Sequence, residues 1–115
     1  MPHIRALFVE DEGMKTLLRE KKTAIREAIA FRTGYKVEEV AFIPDMVPTE
    51  LADLADNLLP LEFIIDAGTK CTNPAAGFIA VHLKADLIEL GLAEVNFGIW
   101  LRAMTDNGYE ENKPV

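Results

Sequence analysis

Twice along this chain the apolar residues change from alternate spacing to helical spacing and back, and that double change admits few folds. Ile4, Ala6 and Phe8 alternate with His3, Arg5 and Leu7, which predicts a strand over residues 3–9. The acidic run Glu10, Asp11 and Glu12 suits the positive end of a helix beginning near Gly13 or Met14. Met14, Leu17, Leu18, Ala24, Ile25 and Ala28 then recur at helical spacing, while Lys15, Arg19, Lys22 and Arg26 occupy the other side. Thr33-Gly34 closes that helix, because glycine accepts the left-handed conformation found at many helix ends. Residues 37–43 return to β-type side chains and stop at Pro44, whose lack of an amide hydrogen suits a strand end or edge.

The second half repeats the pattern. Residues 49–56 hold at most a turn or two of helix between flanking prolines and read as a crossover loop. Residues 62–66 predict a third strand, followed by the loop Ala67-Gly68-Thr69-Lys70-Cys71. Thr72 or Asn73 caps a second helix that has Pro74 in its first turn and Gly91 as its stop. A last strand runs from about Glu94 to Ala103, with Val95, Phe97, Ile99 and Leu101 on the face that meets the helices and Asn96, Gly98, Trp100 and Arg102 on the other.

A helix between two strands implies a parallel pair with a crossover connection. The predicted fold is therefore α/β: tandem βαβ units forming a four-stranded sheet with two helices on one face. The 115 residues make one domain, with a first half over 1–50, a second over 61–104 and a loose polar tail over 105–115. The uncovered sheet face would carry Leu7 and Trp100, so an oligomer that covers it is expected.

Composition narrows the function classes. Half the residues are hydrophobic, and the 27% that are charged are spread along the chain, as suits a folded protein. A net charge of −7 opposes binding to phosphate backbones, so no nucleic-acid partner is expected. The apolar stretches at 58–65 and 75–83 are too short or too interrupted to cross a bilayer. No membrane partner is expected, and with no secretory leader pattern at the amino terminus a cytoplasmic location is. Cys71 is the single cysteine, and His3 and His82 are the histidines, which supports neither a metal site nor a cofactor.

The doubled βαβ order, the length and the opening Met1-Pro2-His3-Ile4-Arg5 together resemble the tautomerase superfamily, with further local likeness at Thr33-Gly34, Phe42-Ile43-Pro44-Asp45 and Thr72-Asn73. The chain looks most like the macrophage migration inhibitory factor and 5-carboxymethyl-2-hydroxymuconate isomerase branches, in which one chain carries both halves. That resemblance implies a homotrimer with sheets facing inward and an active site near Pro2, between subunits. It also implies removal of Met1, leaving Pro2 as a secondary amine. In an apolar pocket near cations such an amine loses its proton more readily and serves as a base at neutral pH. The family's reaction moves a proton between carbon and oxygen of a small keto or enol acid, with a donor or cation stabilising the enolate. If Met1 stays, the Pro2 nitrogen is an amide and this chemistry is absent.

Four residues are candidates for substrate binding beside Pro2. Lys36 follows the Thr33-Gly34 turn, about where the resemblance places an active-site lysine, and Lys70 lies in a loop that lines the site in several members. Arg102 can grip a carboxylate through parallel hydrogen bonds, and Trp100 can form an apolar wall. Each has a plainer reading: solvated lysines at 36 and 70, interface packing at 100 and 102. Arg5 is expected to pair with an acid, and His82 to pack or lie at the surface. Glu10-Asp11-Glu12 stands where 4-oxalocrotonate-type enzymes carry an arginine, which weakens the case for a dicarboxylate substrate. The paired arginines of dehalogenase and decarboxylase branches are also missing after the third strand. A non-catalytic trimeric scaffold or small-molecule-binding protein of the same fold is the alternative. A ferredoxin-like effector-binding domain fits less well, since Pro44 to Pro60 would be a long hairpin connection.

Overall fold

Strand β1 (His3–Val9) buries Ile4, Ala6 and Phe8 and turns His3 and Arg5 outward, as its alternation requires. The structure, a computed structural model, describes residues 3–48, 59–67 and 73–102. Pro2, the crossover segment 49–56, Lys70, Cys71 and the tail 105–115 lie outside the described residues.

Helix α1 (Glu12–Thr33) starts where Asp11 Oδ1 accepts the Met14 amide at 2.9 Å. It ends at Gly34, whose φ of 80° lets its amide reach the Ala30 carbonyl at 2.9 Å. Leu18, Ile25, Ile29 and Ala30 are its buried face.

The second strand departs from the sequence reading at both ends. Residues Val37–Glu39 form a 3₁₀ turn, and β2 (Ala41–Val47) begins only afterwards. Side chains make that turn favourable: Glu39 Oε1 accepts the Lys36 amide at 3.0 Å, while Arg26 donates to the carbonyls of Val37 at 3.0 Å and Val40 at 3.1 Å. Those carbonyls are thereby satisfied without a neighbouring strand. Pro44 does not end β2 but sits within it, opposite Ala6. The sheet order β2-β1-β3-β4 explains this, because β2 is an edge strand, where a missing amide hydrogen is tolerated.

Strand β3 (Leu61–Asp66) buries Leu61, Phe63 and Ile65. Helix α2 (Asn73–Leu87) runs on into a further turn, Ile88–Leu92, within which Gly91, at φ 114°, leaves the helical conformation and breaks the helix, as a glycine stop does. The Val95 amide then bonds the Leu92 carbonyl at 3.1 Å, which holds the chain in a turn and delays β4 (Phe97–Arg102) past the expected Glu94.

Strands β1 and β2 are parallel, as are β3 and β4, and the halves meet where β1 and β3 run antiparallel. Both helices pack on one face, closing a core around Ile4, Phe8, Ile25, Phe63 and Leu83. The ring of Phe63 meets Phe97 edge to face at 6.1 Å. The other face is open and leaves Ile43 45% and Trp100 61% exposed. On α2, His82 packs edge-on against Phe78 at 4.4 Å, in line with a packing role. No helix among the described residues is long and apolar enough to cross a membrane.

A two-pronged ion pair joins the helices: Arg32 Nε donates to Asp86 Oδ2 at 2.7 Å and Nη2 to Oδ1 at 2.9 Å. The hydrogen bonds from Arg32, more than its charge alone, hold the Asp86 carboxyl below its usual range. A depressed folded pKa gives stability that is complete above the unfolded value of about 3.9 and is lost as pH falls through the folded value. Asp86→Asn is therefore expected to melt below wild type at pH 7, with the gap closing in strong acid, as thermal unfolding across that range will check.

A candidate active site at the amino-terminal end of the sheet

Across the open face, register sets side chains in rows. His3, Ala41, Asp66 and Arg102 stand side by side at one end, followed by Arg5, Ile43, Ile64 and Trp100. The row at His3 is the end of the sheet to which Pro2 is joined in sequence.

Strand β4 carries two of the candidates on this face. Arg102 Nε pairs with Asp66 Oδ1 at 3.0 Å, which leaves the far side of the guanidinium fork without a partner among the described residues. Trp100 donates its indole N–H to Glu62 Oε2 at 3.0 Å, which holds the exposed ring in one orientation. Arg5 pairs with Asp45 at 3.1 Å, as expected of it. Such exposed pairs add little stability, so their effect here is to orient charge.

Lys36 is exposed and precedes β2, on the opposite edge from Arg102. Three strand spacings separate those edges, about 14 Å. Within one chain Trp100 and Arg102 therefore share a strand face, and Lys36 is not brought to them. Sequence reasoning missed the carboxylates Glu62 and Asp66 that orient this pair. The signal was present, because alternation along β3 puts both acids on the face opposite Leu61, Phe63 and Ile65. Among the described residues no group of three or more His, Cys, Asp or Glu is placed to hold a metal ion. The arrangement offers guanidinium donors and an indole wall to an anion with an unsaturated or aromatic body.

No protein-family model and no curated protein matches the sequence. Solved structures do match the fold. The F6 fused 4-OT wild-type asymmetric trimer, a 4-oxalocrotonate tautomerase structure, superposes with a TM-score of 0.60 at 14% identity, covering 93% of this chain and 91% of that one. Pt0534 inactivated by 2-oxo-3-pentynoate gives a TM-score of 0.58 at 14% identity, over 89% and 85% of the two chains. Native fused 4-OT gives 0.56 at 15% identity, over 93% and 91%. With two βαβ units, a mixed four-stranded sheet and two helices on one face, the chain has the fold of the tautomerase superfamily.

Proposed function

We propose that the protein is a tautomerase that acts on a small keto or enol acid, with Pro2 as general base once Met1 is removed, and that it works as a homotrimer. The observation that carries this reading is the shared fold together with a proline next in sequence to His3, the β1 residue that stands in the same row as Arg102. The neutral amine would take the enol O–H proton, and as the ammonium it would return a proton to the adjacent carbon. Arg102 would hold the substrate carboxylate and Trp100 would exclude water; Lys36 and Lys70 would come to a shared site from a neighbouring subunit or a loop. A trimer would also cover Ile43 and Trp100 on the open sheet face.

Intact mass of the natively expressed protein, followed by phenylpyruvate ketonisation by wild type and Pro2→Ala, tests the reading. Loss of Met1 with activity that depends on Pro2 supports it, and a retained Met1 or indifference to Pro2 defeats it. Arg102→Gln is expected to raise KM for an anionic substrate about tenfold with kcat little changed, the pattern of a group that binds ground and transition states alike.

One observation favours a non-catalytic binding protein of the same fold: Arg5 and Arg102 already face Asp45 and Asp66, so two of the cations on this sheet face are partly neutralised within the chain. In that case small acids would bind near Arg102 without turnover.

A further inference from the structure

Along α1, Lys15, Arg19, Lys22 and Arg26 recur at spacings of four, three and four, which sets them on one side of the helix. Two of the four have internal partners. Arg26 donates to the Val37 and Val40 carbonyls, and Lys15 pairs with Glu12 at 3.1 Å. Arg19 and Lys22 are exposed, and neither has an ion pair among the described residues. Like charges at these spacings destabilise a helix. The chain has 19 acidic residues against 12 basic ones, yet none of the described acids is set against this pair.

Beneath the cations, a groove of about 280 Å³ opens between α1 and edge strand β2. Its floor is apolar, made by the buried Phe8 and Leu18 with Phe42 and Pro44. Pro44 contributes here because it lies within β2 and does not end it. Lys15, Arg19 and Lys22 line the same groove from above. Its size stands near the lower end of small-molecule sites, about 300–1,000 Å³. A polyanion is a poor match, because the cations cover one short stretch of a protein with net charge −7.

We propose that this groove binds a small amphipathic carboxylate, its apolar body lying on Phe8, Phe42 and Pro44 and its head group held by Arg19 and Lys22 with help from Lys15. An apolar body alone would leave the cations unanswered, and a bare anion would leave the floor wet. The site is independent of the tautomerase reading. Phe8 is five residues along β1 from His3, about 17 Å.

Titration of the full-length ¹⁵N-labelled chain with sodium hexanoate, followed by NMR, tests this. Saturable shifts are expected at amides of residues 15–22 and of Phe42, Ile43 and Asp45, which flank Pro44. The folded double variant Arg19→Gln/Lys22→Gln should weaken binding about tenfold. Uncharged hexanol should bind more weakly than hexanoate, and acetate should not saturate. Pro2→Ala should bind hexanoate as wild type does, whatever its catalytic activity, which separates this proposal from the tautomerase reading. The proposal is overturned by the absence of saturable shifts, by affinity indifferent to the two charges, or by shifts confined to the row of His3 and Arg102. Shifts of the groove amides on simple dilution would also overturn it, by showing that a second copy fills the groove.

Discussion

Replacing Pro2 with alanine is expected to lower kcat/KM for phenylpyruvate ketonisation by about 10²–10⁴-fold, the range that a positioned general base contributes. Alanine is small enough for Met1 still to be removed, so the variant keeps an amino terminus and changes the amine. A primary amine on a freely rotating residue replaces a secondary amine in a rigid ring, and the loss measures positioning and basicity together. Wild-type activity should rise with pH through the pKa of the amine, from a reference of about 7.7–8.0 that an apolar, cationic setting would lower. A pH–rate profile unchanged by the substitution would remove Pro2 from the mechanism.

The largest effect on stability is expected at Phe63. Its side chain is fully buried in β3, between the helices and the ring of Phe97. Phe63→Ala removes a large apolar volume that the surrounding sheet and helices cannot fill, at a cost of about 3–5 kcal/mol. Native domains have only about 5–15 kcal/mol in total, so the variant should unfold at much lower urea or not fold at all. Phe31, 78% exposed on α1 with Arg32 stacked over its ring, is the matched control. Its alanine variant should stay within about 1 kcal/mol of wild type. Equal losses at the two positions would mean that the core is not where the sheet places it.

Local signals in the sequence matched local structure closely, and the doubled βαβ order matched the sheet, whereas details set by partners distant in the chain were not legible. Both ends of α1 were legible because Asp11 and Gly34 act on their immediate neighbours, through a side-chain cap and a left-handed turn. Pro44 was read as the last residue of its strand, because a missing amide hydrogen suits a strand end or edge. Its true place depends on β2 being at an edge, and that depends on β1 pairing with β3 across the chain. Residues 37–43 were read as one β segment, but over 37–39 Arg26, a turn or more from the end of α1, supplies the donors that make a 3₁₀ turn the better state. The candidate site shows the same division. Alternation placed Trp100 and Arg102 on the open face, yet register determined that Glu62 and Asp66 would meet them and that Lys36 would stand at the far edge. The basic side of α1 was visible as a periodic row, whereas the groove beneath it required β2 to be in place.

The antiparallel meeting of β1 and β3 relates the two halves by an approximate two-fold, in which His3 pairs with Asp66 and Phe8 with Leu61. A shift of 58 positions carries the start of β1 onto the start of β3, His3 onto Leu61. The same shift carries Pro2 onto Pro60, so each half opens with proline before its first strand. The chain thus reads as a dimer with its subunits spliced end to end, and splicing has a chemical consequence. The Pro60 nitrogen is a tertiary amide with no usable lone pair, whatever happens to Met1. Two prolines that correspond in sequence would therefore be chemically unequal, and loss of Met1 would create only one basic proline in each chain.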